Sequence, residues 1–315
     1  MLFSSVDFVF FFSITIVFYF ILPSRFKWIW LLITSTVFYM YSKPVYIVIP
    51  IVLIAITFPS GILIEKTKNE KQKKLIFILT IVAIIGILAF FKYTNFLSSS
   101  LISFINFFRE KLFASTEPVN NPLLINLIVP LGISYITFQS IGYLVEIYWG
   151  NHKAERHIGH FSTYIMFFPK LTMGPIERAH HFLPQLKRSI TFNYDNVTLG
   201  LKLIAWGLIK KVLIADRIRL FNESIFTNIQ DYDGIVLIIA SISYTVQLYA
   251  DFSGYTDIAI GLSKILGFDI IQNFDRPFTA KSITEFWRKW HISLSTWFAD
   301  YFYNPIVIKK RNWGK

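Results

Sequence analysis

Long apolar stretches with few or no charged side chains dominate this chain. Residues 5–22 carry one charge, Asp7, and residues 45–64 and 75–91 carry none. Each stretch approaches the roughly 20 residues with which a helix crosses about 30 Å of hydrocarbon. Less regular candidates for spans are residues 28–41, 123–149, 158–175, 196–214, 234–250 and 252–271. The pattern predicts an all-α, polytopic transmembrane helical bundle with roughly seven to nine spans, because the alternation typical of membrane barrels is missing.

Composition agrees with a membrane protein. Apolar residues make up 54% of the chain and charged residues 16%, with a mean hydropathy of +0.51. A soluble domain of this composition would lack polar residues to cover its core. The chain contains no cysteine, which excludes disulfides and thiol chemistry within it.

The net charge of +12 is explained by membrane topology, and no nucleic-acid partner is predicted. Cytosolic loops of membrane proteins carry an excess of lysine and arginine. Arg25 and Lys27 follow the first apolar stretch, and five lysines lie within residues 66–74. If residues 28–41 and 45–64 form a hairpin that turns at Ser42-Lys43-Pro44, both basic segments face the cytosol and the N-terminus lies outside.

Polar side chains inside apolar stretches are the first functional candidates, because they are costly in hydrocarbon. Gln247 and Asp251 share a helix face, and Asp257 follows. Ser253-Gly254 between the two aspartates is expected to interrupt the helix, which is tolerated beside protein or a wet cavity. Asp251 fits a polar tunnel or a packing contact equally well, and Asp257 is assigned to packing.

A second interrupted stretch, residues 167–186, contains Pro169, Gly174, Pro175 and Pro184. Prolines end or kink helices, so a broken or re-entrant element is predicted here. The histidines near this region are His152, His157, His160, His180 and His181. We expect them in solvated loops at the headgroup level. No metal site is predicted, because no carboxylate or cysteine completes a ligand set along the sequence.

The stretch ITEFWRKWHISLSTWFADYFY (283–303) combines aromatic and charged residues. Ser282 and Glu285 form a capping box, which predicts a helix from Ile283. Trp287, Trp290, His291, Leu294 and Trp297 recur at steps of three or four and are expected to form one aromatic helix face.

His291 on that face has two interpretations. An imidazole kept from bulk water stays neutral and accepts a proton, with Ser295 one turn away as a hydrogen-bond partner. Alternatively, the segment is an interfacial aromatic belt that includes a histidine without a chemical role.

Five segments carry a resemblance to a known family. They are PLGISYITFQSIGYLVEIYWG (130–150), FFPKLTMGPIER (167–178), GLIKKVLIADR (207–217), YTVQLYADFSGYTDIAIGLSKILGF (244–268) and NFDRPFTAKSITEFWRKWHISLSTWFADYFY (273–303). Together with the start, MLFSSVDFVFFF, they resemble the bacterial membrane-bound O-acyltransferases (MBOAT), and the alginate O-acetylase type in particular. The resemblance covers essentially the whole chain.

The resemblance implies a ring of helices with funnels on both faces and a thin centre. It implies transfer of an acyl group, commonly acetyl, from a cytosolic donor to a hydroxyl of an exported polysaccharide or of an extracytoplasmic partner protein. The expected donor is an acyl thioester such as acetyl-CoA, which acts as a substrate, and no bound cofactor is expected. Residues 1–315 are expected to be one integral-membrane acyltransferase domain in the lipid bilayer of the cell (inner) membrane.

The resemblance also implies site residues. His291 matches a family histidine that lines the acyl path and is the candidate catalytic residue. The expected residues of the substrate path are Trp287, Trp290, Asp251, Gln247, Glu285 and Arg288.

The family's main catalytic histidine lies in a later Trp-His-Gly segment, which these 315 residues do not contain. The sequence stops at Asn312-Trp313-Gly314-Lys315, where the next helix is expected to begin. The C-terminal part of the family fold is therefore expected to be missing, either because the sequence is a fragment or because it is an inactive truncated remnant. A membrane transporter or lipid flippase is the alternative class. It predicts inverted sequence repeats, and we find none.

Overall fold

The computed structural model describes residues 1–41, 43–113 and 129–307. Every regular element in these residues is helical, which confirms the predicted all-α class. The α-helices are α1 (Val6–Ile21), α2 (Ser24–Met40), α3 (Val48–Lys66), α4 (Glu70–Phe113), α5 (Ile133–Tyr148), α6 (Ile158–Met166), α7 (Ala179–Leu186), α8 (Tyr194–Leu208), α9 (Asp216–Thr227), α10 (Gly234–Ile265), α11 (Ile283–Lys289) and α12 (Ile292–Phe298). Two π-helical segments, Ile209–Ala215 and Ala299–Tyr303, extend α8 and α12.

Three helical stretches in the described residues are long and apolar enough to cross a membrane: Pro44–Lys66, Glu70–Arg109 and Gly234–Ile265. Helix α1 is apolar but shorter. Exposed aliphatic side chains cover much of α4 and α10, among them Leu79 and Ile238. Such surfaces belong in contact with lipid. Residues 97–108, which are too short for a span of their own, continue the helix that contains the predicted span 75–91.

Helix α10 corrects one prediction. The sequence suggested a break at Ser253-Gly254 and separate spans at 234–250 and 252–271, but α10 runs unbroken for 32 residues. Both Ser253 and Gly254 are buried inside it. The small residues serve close packing against α8, so the backbone needs no interruption.

Four glycines bring α8 and α10 into backbone contact. A Cβ on Gly207 would lie 2.6 Å from the carbonyl oxygen of Gly254, and a Cβ on Gly200 would lie 2.6 Å from that of Gly261. The glycines on each helix are seven residues apart, so they share one face over two turns. No larger side chain fits between these helices at those positions.

The predicted break within residues 167–186 is confirmed. Helix α6 ends at Met166, a short 3₁₀ turn covers Phe168–Lys170, and α7 begins at Ala179. Phe167 and Phe168 are completely buried within this break. Gly132 adopts φ 65°, where a Cβ would lie 2.0 Å from the carbonyl oxygen of Leu171. The irregular backbone is thus covered by protein, as membrane depth requires.

A series of polar contacts places the two basic segments at one end of the bundle. Lys27 donates a hydrogen bond to the carbonyl oxygen of Ile190. Lys187, nearby in sequence, pairs with Glu155 at 2.6 Å. Arg156, which follows Glu155 in the sequence, pairs at 2.8 Å with Glu65, and Glu65 lies at the start of the lysine-rich loop. We call this end, with residues 25–27, 65–74, 150–157 and 187–190, the basic end. The predicted turn residue Ser42 and residues 123–128 of a predicted span lie outside the described residues.

The glycine contact predicts a selective loss of stability. Gly207→Val places a side chain against the backbone of α10, and we expect a loss of about 1–3 kcal/mol from overpacking. Gly86→Val is the matched control, because nothing lies within 4 Å of a Cβ at Gly86. Thermal unfolding of the detergent-purified proteins measures both. Equal melting temperatures for the two variants would show that the α8–α10 contact tolerates a side chain.

The basic end predicts membrane orientation. A single cysteine at Lys71 should react with an impermeant maleimide only after the cells are permeabilised, because lysine-rich loops stay in the cytosol. A single cysteine at Ser4, on the exposed N-terminal segment, should react in intact cells. The reverse labelling pattern would invert the orientation.

Candidate functional site

His291 lies at a break between two short helices. Helix α11 begins at Ile283, as the capping box predicts, with the Ser282 side chain accepting a hydrogen bond from the backbone N–H of Glu285. It ends at Lys289, and His291 takes a left-handed conformation, φ 44°, before α12 begins. The predicted continuous helix face from Trp287 to Trp297 is therefore wrong, because the helix turns a corner at Trp290-His291.

The corner points His291 and Trp290 toward α10. The His291 ring lies 4.7 Å from the Phe252 ring at 89°. Trp290 packs 5.0 Å from Phe274 and 5.5 Å from Phe286, between ring centroids. We call these five rings the aromatic cluster. A left-handed residue other than glycine is strained, and here this backbone conformation directs the imidazole into the cluster.

The imidazole of His291 keeps one nitrogen free. Its Nε2 is buried and has no hydrogen-bond partner among the described residues. The aromatic rings around the imidazole favour its neutral form, because they solvate a positive charge less well than water does. Ser295 does not bind it as expected, because its hydroxyl donates to the carbonyl oxygen of Trp290 at 3.2 Å. The structure thus offers a proton acceptor whose Nε2 is buried, on a side chain that is itself half-buried.

The other predicted residues of α11 stay on its outer surface. Trp287 is 57% exposed and contacts only Phe286 among the rings of the described residues. Glu285 pairs with Lys289 at 2.7 Å, one turn along the helix. Arg288 is exposed and lines a shallow cleft with Trp287. The structure does not bring these three residues to His291.

The predicted residues of α10 face another neighbour. Asp251 pairs at 2.5 Å with Lys211 of the π-helical segment after α8, and Lys211 also pairs with Asp216. The side chains of Gln247 and Asn222 are hydrogen-bonded at 2.7 Å. Adjacent helix positions diverge by about 100°, so Asp251 faces α9 while the next residue, Phe252, contacts His291.

Asp257 takes part in helix packing, as the sequence predicts. It forms an ion pair with Lys210 between α10 and the π-helical segment. The pair lies beside the backbone contact of Gly254 and Gly207. An opposite charge compensates each group as it leaves water.

A cavity of about 270 Å³ opens at the basic end, between α5, α7 and α12. Trp297 and Tyr301 form part of its wall, so α12 and its π-helical extension, which follow His291, also border this cavity. The charged groups around it include Glu146, Glu155, Arg178 and Lys187.

A hydrogen-bonded network orders the charged groups of the cavity. Glu177, 1% exposed, binds His181 Nδ1 at 2.5 Å and accepts a hydrogen bond from the backbone N–H of Ile271. The hydrogen bond that His181 donates to the Glu177 carboxylate raises the pKa of His181. Arg178 pairs with Asp300 at 3.0 Å. Its Nη1 is buried without a partner among the described residues and remains available to an anion or a carbonyl oxygen.

Sequence reasoning missed this cavity as a candidate site. The Glu177-Arg178 pair was visible in FFPKLTMGPIER (167–178), where two charged residues follow a Gly-Pro break in an apolar stretch. That signal does not reveal that α5 and α12 supply the remaining walls.

Comparison with known proteins assigns the family. The model of the membrane-bound O-acyltransferase family, MBOAT, matches residues 156–314, which is half of the chain. The chain belongs to the MBOAT family. The suspected resemblance is thereby confirmed.

Named relatives of this MBOAT chain include three kinds of enzyme. It is 34% identical over 305 residues to the probable alginate O-acetylase AlgI of Azotobacter vinelandii, covering 96% of this chain and 59% of the relative. It is 32% identical to the peptidoglycan O-acetyltransferase of Helicobacter pylori, covering 88% and 55%. It is 33% identical to the teichoic acid D-alanyltransferase of Bacillus subtilis, covering 60% and 49%. The chain spans about half to three fifths of the length of these relatives.

One ligand set for a metal does arise in the fold. Side chains of Glu146, His152 and His180 meet at the cavity mouth. The sequence argument against a metal site assumed that no carboxylate completes a histidine set. That premise fails because α5 supplies the carboxylate from a distant part of the sequence. His180 and His181 point in different directions, since His181 binds Glu177.

Lys170 carries a buried amine beside the cavity wall. It is 1% exposed, and its Nζ lacks a hydrogen-bond partner within the described residues. The nitrogen lies 4.1 Å from the ring centroid of Tyr164 and 4.7 Å from that of Phe182. Aromatic faces offset only part of the cost of taking an ammonium group out of water.

Lys170→Met should therefore stabilise the protein. Methionine keeps most of the side-chain volume and removes the buried amine, so we expect a gain of about 1–3 kcal/mol. Thermal unfolding in detergent measures the change. Lys187→Met is the contrasting variant and should lower the melting temperature, because it leaves the buried carboxylate of Glu155 unpaired. A lower melting temperature for Lys170→Met would assign the amine a stabilising contact.

Proposed function

We propose that this MBOAT chain is part of a membrane O-acyltransferase of the cell membrane. It moves an acyl group, acetyl in our proposal, from a cytosolic thioester such as acetyl-CoA to a hydroxyl of an exported polysaccharide or of an extracytoplasmic partner protein. The observation that carries the proposal is the free Nε2 of His291, a neutral acceptor that is shielded from water by the aromatic cluster. The names of the relatives, which are acyltransferases of cell-envelope polymers, support it.

The proposed reaction needs one proton acceptor and a stabilised oxyanion. The acceptor hydroxyl oxygen bonds to the thioester carbonyl carbon, the C–S bond breaks, and the thiolate leaves. The hydroxyl proton passes to a base and ends on the departing sulfur, so charge and atoms balance. We assign the main base to the Trp-His-Gly histidine that the family resemblance implies and that these 315 residues do not contain.

His291 then serves as a second proton-relay or positioning group. A neutral imidazole can accept a hydrogen bond from the acceptor hydroxyl through its unpartnered Nε2. Trp290 shapes the path beside it through its contacts with Phe274 and Phe286. Asp251 contributes through the position of α10, because its own carboxylate is held by Lys211.

The cavity at the basic end is the proposed entry for the donor. Lys153 and Lys187 lie at its rim and attract an anionic carrier, and the free Nη1 of Arg178 can bind its carbonyl or phosphate oxygen. Helix α12 and its π-helical extension lead from His291 to Tyr301, about 15 Å at 1.5 Å per residue. This distance suits a long, flexible acyl carrier that reaches inward from the cytosolic face.

His291→Gln tests the proposal in the full-length protein. Glutamine retains hydrogen bonding but does not accept a proton at neutral pH. We expect turnover to fall by about a hundredfold if the imidazole carries the proton, and by less if it positions the acceptor. Transfer of labelled acetyl from acetyl-CoA to envelope polysaccharide in membranes measures turnover.

His160→Gln is the matched control, because His160 lies in α6, away from the aromatic cluster. Its turnover should equal that of the wild type. Both variants are compared at equal amounts in the membrane. Wild-type turnover in His291→Gln would leave His291 with a structural role alone.

A further inference from the structure

We propose that Glu146, His152 and His180 form a binding site for a divalent transition-metal ion such as Zn²⁺ at the mouth of the basic-end cavity. Glu146 lies in the last turn of α5, His152 in the loop that follows, and His180 in the first turn of α7. One ligand atom from each lies within 4.8 Å of the other two. The fold brings α7 against α5 and the loop that follows it, which are distant from α7 in the sequence.

The ligand types select the metal. Two imidazoles and one carboxylate are a common set for Zn²⁺, with water in the fourth position. Magnesium and calcium prefer oxygen ligands and would gain little from the two histidines. Zinc needs its ligand atoms closer, at about 2.0–2.2 Å from the ion. The His152 and His180 side chains are exposed, so side-chain rotation can bring their ring nitrogens to this distance from the ion.

The turn after α5 presents His152 to Glu146. Gly150 adopts φ 78° and reverses the chain. The backbone N–H of Asn151 then donates to the carbonyl oxygen of Glu146 at 3.0 Å, as does that of His152 at 3.4 Å. The His152 Nε2 ends 3.9 Å from the Glu146 carboxylate. The carboxylate and one histidine are therefore arranged by backbone geometry.

Outer hydrogen bonds orient the carboxylate. The Tyr301 hydroxyl donates to Glu146 Oε1 at 2.9 Å, and the Asn151 side-chain amide donates to Oε2 at 3.1 Å. Contacts of this kind fix ligand orientation in metal sites. The electrostatic repulsion between the nearby Arg178 and a bound cation is reduced, because Arg178 is paired with Asp300.

Helix α7 aims the second histidine. His181 is held by the buried Glu177, so the preceding His180 projects toward the cavity mouth. Its ring stacks 4.6 Å from that of His152, at 12°. An ion bound by all three groups would tie the loop after α5 to α7 across the mouth of the cavity.

A second stacked histidine pair shows why proximity alone is insufficient. The His157 and His160 rings lie 4.2 Å apart. The His157 Nδ1 accepts the backbone N–H of His160 as the cap of α6. Within the described residues, no carboxylate joins this pair to make a ligand set. The pair therefore provides a matched control.

Metal titration tests the proposal without any measurement of activity. Full-length protein in detergent is stripped with a chelator and titrated with Zn²⁺ by calorimetry, in excess Mg²⁺. We expect one Zn²⁺ per chain at this site and a higher melting temperature with Zn²⁺. His152→Ala and His180→Ala should each weaken binding at least about tenfold, whereas His160→Ala should bind as the wild type does.

Glu146→Gln extends the test to a variant that keeps the side-chain shape. It should also weaken Zn²⁺ binding, and gel filtration establishes that each variant is folded. Co²⁺ in place of Zn²⁺ should give the visible absorption of a four- or five-coordinate site, which His152→Ala loses. Zn²⁺ binding that is absent, or equal in the wild type, His152→Ala and Glu146→Gln, would overturn the proposal.

Discussion

The structure depends on one constraint: backbone that leaves the helical pattern inside a membrane must be enclosed by protein or line a cavity. The break between α6 and α7 meets it with Phe167 and Phe168, both fully buried, and with Gly132 against Leu171. The corner at Trp290-His291 meets it with the aromatic cluster. Long regular helices, α4 and α10 among them, are left to face lipid.

The candidate site residues lie at the same two irregular points. The break before α7 delivers Glu177 and Arg178 to the cavity wall, and the corner before α12 turns His291 into the aromatic cluster. The two ends of α12 have different surroundings. Asp300, just beyond its C-terminal end, pairs with Arg178 at the cavity, whereas His291, just before its N-terminal end, packs against the ring of Phe252. In the proposed function, this arrangement would let one path bind an anionic carrier at its mouth and keep water from its interior.

Close packing holds these points in place. Four glycines allow α8 and α10 to meet backbone to backbone, and α10 in turn supplies Phe252 to His291. The ion pairs of Lys210 with Asp257 and of Lys211 with Asp251 join the π-helical segment to the same helix. Asp251, a candidate site residue in the sequence, and Asp257, which the sequence assigned to packing, thus both form ion pairs between helical segments. Their cost in a membrane is offset by a lysine partner that lies far away in the sequence.

The sequence by itself determined the helical class, the long apolar helices, the start of α11 at Ile283 and the break before α7. These follow from local chemistry: uncharged length, a capping serine, and prolines that cannot continue a helix. It also identified the family, because long and unusual sequence motifs can be recognised without a structure. The tertiary structure alone decided that α10 runs straight through Ser253-Gly254, that the helix turns at His291, and that Trp287 and Arg288 face outward. It alone brought Glu146 to His152 and His180. The physical reason is that the role of a small residue, a left-handed corner or a ligand set depends on which helix packs against it.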